Sequence, residues 1–152
     1  MSNLIDRTSA PIAPAPETEL ERSNRNLLLL AEEHERQVQF ETIKLDMMIV
    51  YTTRACGSVC CSLGLAASMP VFQAMGFCLV TNQEFGTIVK DGVPLSLNSA
   101  ALGMLGVPFS SCVRMRLDPD SVPRQHYLFS GTDLRTHAEQ AEIIRAFVAN
   151  RS

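Results

Sequence analysis

The stretch GFCLVTNQEFGTIVKDGVPLSL, Gly76–Leu97, decides the fold. Phe77–Val80 is a short apolar run, and Phe85–Val89 alternates as a strand with one buried face does. Asp91-Gly92 follows, a dipeptide that tolerates the positive φ angles of a two-residue hairpin turn. Asn82-Gln83 fits the other tight turn, and Val93–Leu97 reads as a third strand. Towards the C terminus, Asn98–Leu105 is a small-residue apolar helix. On the next strand Val113, Met115 and Leu117 point one way and Arg114 and Arg116 the other, which marks a sheet with one wet face. Asp118-Pro119-Asp120-Ser121 breaks the strand as a turn, and Gln125–Phe129 resumes it. An amphipathic helix over Asp133–Asn150, capped by Thr132 or Asp133, buries Leu134, Ala138, Ala141, Ile144 and Val148. The order β-β-β-α-β-β-α predicts an α+β fold, with an antiparallel sheet of about five strands and flanking helices.

Upstream, residues 1–18 are rich in Pro, Ala and Ser and read as a disordered arm. Residues 19–50 contain no Gly or Pro. Leu27, Leu30, His34, Val38, Leu45 and Met48 recur there at helical spacing and predict one amphipathic helix. Tyr51–Met69 is apolar and rich in small residues. Gly57 and Gly64 each cost about 1 kcal/mol in a helix interior, so breaks are expected at both. Pro70 ends whatever precedes it.

Of the 152 residues, 46% are hydrophobic and 19% charged, enough for a core with little surplus charge. The net charge of −3 gives no support to a nucleic-acid partner. No signal-peptide pattern opens the sequence, which predicts a cytoplasmic protein with five reduced cysteines. A competing reading comes from two charge-free stretches, Ala55–Gln83 and Gly92–Val113, flanked by Arg54, Arg114 and Arg116. They could form a membrane hairpin at about 58–81 and 93–113. Pro70, Gln73, Pro94, Asn98 and Pro108 interrupt those stretches and favour the soluble reading.

Catalytic patterns are missing: there is no phosphate loop, dinucleotide fingerprint, His-Glu-x-x-His or Gly-x-Ser-x-Gly. On a helix, Cys56 and Cys60 would share a face and could ligate a soft metal, with Cys61 beside them. Cysteine as a small buried hydrophobe is the simpler account, for Cys78 and Cys112 as well. His126 and His137 have no partner at a recognisable spacing and read as surface or rim residues. No metal or other cofactor is expected.

The element order resembles that of the class I chaperones of bacterial type III secretion, α-β-β-β-α-β-β-α. Ser62-Leu63-Gly64-Leu65 resembles the end of their first helix, and Gly76–Val80 and Phe85–Lys90 their first two strands. Leu95–Leu105 resembles the third strand entering the second helix. Residues 116–121 resemble the turn before the fifth strand, and Ser130–Leu134 leads into the final helix. The resemblance covers roughly residues 51–150, within one domain at 51–152 that follows the arm (1–18) and the first helix or extension (19–50). It implies a non-catalytic bacterial cytoplasmic protein, a homodimer or a heterodimer with a co-chaperone, that holds a secreted effector in a non-globular state. Client contacts are then expected at Phe77, Leu79, Phe85 and Ile88. A dimer contact is expected at Leu97, Leu102, Met104 and Leu105, by position in the second helix.

Overall fold

A computed structural model describes residues 15–40, 43–45, 51–54, 57–82, 85–115, 124–129 and 135–151. It begins with α1 (Glu19–Phe40), β1 (Ile43–Leu45), β2 (Tyr51–Arg54) and β3 (Gly57–Cys60). Two short helices follow, α2 (Ser62–Ala67) and α3 (Pro70–Gln73), then the strands β4 (Phe77–Asn82), β5 (Phe85–Lys90) and β6 (Val93–Pro94). The chain continues with α4 (Leu97–Leu105), β7 (Cys112–Met115), β8 (Arg124–Tyr127) and α5 (His137–Ala149).

The fold is mixed α+β, but the expected single sheet is divided. β4, β5 and β6 form an antiparallel meander, and β7 pairs only with β8 among the described residues. A third small sheet has the order β1-β3-β2, with β1 parallel to β3. The meander closes locally. Lys90 pairs with Val93 across Asp91 (φ 50°) and Gly92 (φ 84°), both in the left-handed region that the hairpin turn needs. β6 is two residues long and ends at Pro94, which has no N–H for a longer ladder. The chain then turns at once into α4, where Ser96 Oγ accepts from the Ser99 N–H at 3.1 Å.

Three further boundaries differ from expectation. α1 stops at Phe40, and the sequence expected to continue it contributes β1, paired with β3. Long-range strand pairing there prevails over helical spacing. Leu45 is in β1, and Met48 lies outside the described residues, as do the first fourteen residues of the arm. The described residues of the apolar segment 51–69 form two strands and a helix. Gly57 begins β3 rather than lying in a helix, and the chain runs helically through Gly64, which is buried in α2. Pro70 occupies the first turn of α3, where its missing N–H costs nothing. α5 starts at His137, not Asp133. Thr136 caps it through a capping box, with its Oγ accepting from the Glu139 N–H at 3.1 Å and the Thr136 N–H donating to Glu139 Oε1 at 3.2 Å. The expected caps, Thr132 and Asp133, lie outside the described residues.

α1 packs most extensively against α5 and crosses α4. The core gathers Leu27 and Leu30 from α1, Leu63 and Leu65 from α2, Met104 and Leu105 from α4, and Ile143 and Ile144 from α5. Phe72, Phe77, Ile88, Leu128 and Phe129 complete it. The end of the Phe77 ring abuts α4 at Gly103, where a Cβ would come within 2.8 Å of its Cζ. The two charge-free stretches are broken into these short elements, and no described helix is long and apolar enough to cross a membrane.

Candidate functional site: a buried polar network and the surface around it

The residues expected to touch a client divide between core and surface. Phe77 and Ile88 are buried within the single chain, and Leu79 is half-buried against them. The side chain of Phe85 lies outside the described residues. On α4, Met104 and Leu105 are core, Leu97 is half-buried, and Leu102 is 48% exposed. The helix turns Ala100, Ala101, Met104 and Leu105 inward, a four-residue spacing that leaves Leu102 on the opposite face.

The best-organised polar site lies inside the helical layer. The buried face of α1 runs through Ser23, Asn26, Leu27, Leu30, His34 and Gln37, whereas Val38, expected on it, is exposed. His34 is fully buried. Its Nδ1 is 2.8 Å from Nδ1 of His137 on α5, and its Nε2 is 2.7 Å from Ser62 Oγ at the start of α2. Gln140, one turn beyond His137, accepts from Arg135 Nη1 at 2.5 Å. That contact turns the amide N–H groups of Gln140 towards the Leu128 carbonyl at 2.6 Å and Ser62 Oγ at 3.3 Å. Ser62 accepts from Gln140, so its own hydrogen can go to His34 Nε2. This assignment places the His34 proton on Nδ1, facing His137.

Burial, followed by the charges of His137 and Arg135, holds the His34 pKa well below the ordinary histidine value. A neutral imidazole is the form this network accommodates. Ser62 and His34 are at the separation of a nucleophile and its base. Both have 0% exposure, so a substrate atom does not reach the hydroxyl. The network instead ties α1, α2, α5 and the segment after β8 together.

Sequence reading placed His34 on the right face and missed its partners. His137 and His126, expected at the surface or rim, are both buried. Cys78 and Cys112, expected to be buried, are exposed, because each points away from the core side of its strand, while Cys61 is buried. Cys60 ends a strand, so helical spacing to Cys56 does not apply; Cys56 lies outside the described residues. No cluster of metal-ligating side chains occurs among the described residues. Val113 is buried and Arg114 exposed, the alternation expected of β7.

No protein family, no curated protein and no solved structure matches the chain. Fold and site together define a mixed α+β domain whose helices are joined by a sealed hydrogen-bond network.

Proposed function

We propose that the chain is a non-catalytic binding module of the secretion-chaperone kind. It holds a segment of a secreted effector in a non-globular state for type III secretion, acting as a homodimer in the bacterial cytoplasm. The observation that carries this reading is the element order from α2 to α5. A helical segment is followed by three strands, α4, two strands and α5. Among the described residues β4 has a ladder partner on one side only, which leaves backbone N–H and C=O groups for an added strand.

The test is light scattering after size exclusion, on protein prepared without detergent, alone and co-expressed with candidate effectors. The expected species is twice 16.7 kDa and protects one extended effector stretch from protease. A monomer that protects no effector segment, or protein recovered only from membranes, refutes the proposal.

A further inference from the structure

A cleft of about 400 Å³ separates the start of α1 from the end of α4. Its floor is already built. Ser23 Oγ donates to the Leu105 carbonyl and Asn26 Nδ2 to the Met104 carbonyl, closing the last turn of α4. Arg151 stands over that floor. Its Nη1 donates to Ser23 Oγ at 2.8 Å and Asn24 Oδ1 at 3.1 Å, and its guanidinium lies 4.9 Å from the centre of the Phe147 ring. The Nη2 and Nε donors make no bond among the described residues. Arg22 lines the same cleft. Among the described residues neither arginine has a carboxylate partner, whereas Arg25, Arg36 and Arg145 each do.

We infer that this cleft binds an acidic peptide segment, with one carboxylate on Arg151 and Arg22 and a neighbouring apolar side chain against Leu20 and Leu102. Guanidinium groups favour carboxylates through paired, charge-assisted hydrogen bonds. Glu19 lies on the same wall, so two cations and one anion leave a single positive charge, matched to one carboxylate. Leu20 is 43% and Leu102 48% exposed, and they give the rim an apolar requirement that a free anion does not meet. The inference rests on the proposed function only in that the chain binds a segment of another protein. It gives Leu102 a place in the cleft in place of the dimer contact.

The test uses fluorescence anisotropy of the full chain with a short labelled peptide of leucine, glutamate and glycine. A counterpart with lysine for glutamate serves as control. The glutamate peptide is expected to bind and the lysine peptide not. R22Q, which alters an exposed side chain, and R151Q should each weaken binding about tenfold. Thermal unfolding of both variants checks that they fold. Equal binding of both peptides, or unchanged affinity in a folded R22Q, overturns the inference. Displacement by acetate as effective as by unlabelled peptide reduces the cleft to a simple anion site and also overturns it. So does light scattering in which Leu102→Asp converts a dimer to a monomer, because a second copy then fills the cleft. A chain that protects an effector yet ignores the peptide removes only the cleft assignment.

Discussion

Replacing His34 with glutamine tests the buried network through its pH dependence. The folded chain keeps His34 neutral at a pH where the unfolded chain, with an ordinary value of 6.5, takes up a proton. Its contribution is full above the ordinary histidine range and is lost as pH falls through it. Between about pH 6.5 and about pH 5.5 one such site costs roughly 1 kcal/mol. Each further unit costs roughly 1.4 kcal/mol until the folded pKa is reached. H34Q retains an amide that can reach Ser62 but does not titrate. At about pH 8 it should cost on the order of 1–3 kcal/mol, because the bond to His137 is lost. Below pH 6.5 its stability should fall less steeply than the wild type's, by one proton's worth of slope. Urea midpoints followed by circular dichroism, at half-unit steps of pH, measure both slopes. Parallel slopes in the two proteins refute the assignment of a neutral, buried His34.

Other perturbations follow from single contacts. Thr136→Ala removes the side-chain half of the capping box, the bond that Oγ accepts from the Glu139 N–H, and should cost about 1 kcal/mol, whereas Thr136→Ser retains it; thermal melts compare the pair. Gly103→Val places a side chain where the Phe77 ring lies and should cost about 1–3 kcal/mol by urea denaturation, unless α4 can move off β4. A thiol reagent should label native Cys78 and Cys112 rapidly and Cys61 only after unfolding, read by mass spectrometry of peptides. Equal rates at all three would contradict the burial of Cys61.

Local chemistry is what the sequence carried. Asp91-Gly92 specified its hairpin because few residue pairs accept positive φ at both positions, and β4 and β5 follow from apolar runs on either side of a short connection. The small apolar run Asn98–Leu105 marks the body of α4 in the sequence but not its start, because the strand expected over Val93–Leu97 stops at Pro94 and Ser96 caps a helix that ends at Gly106 (φ 70°). These features depend on neighbours only a few residues apart.

Assembly was decided elsewhere. Whether five strands make one sheet or several depends on which edges meet, and periodicity is silent on that; β7 and β8 pair with each other and β7 packs against α5. Helical spacing beyond Phe40 did not survive against pairing between β1 and β3. The buried network joins His34 to Ser62 and His137, 28 and 103 residues away, and joins Ser62 to Gln140, 78 residues away. At those separations the spacing puts His34 on the apolar face of its helix but shows none of its partners, and His137 looks like a surface residue on its own helix. Only when α1 and α5 pack does burial compel each polar atom to find a hydrogen bond, and only then does the site exist.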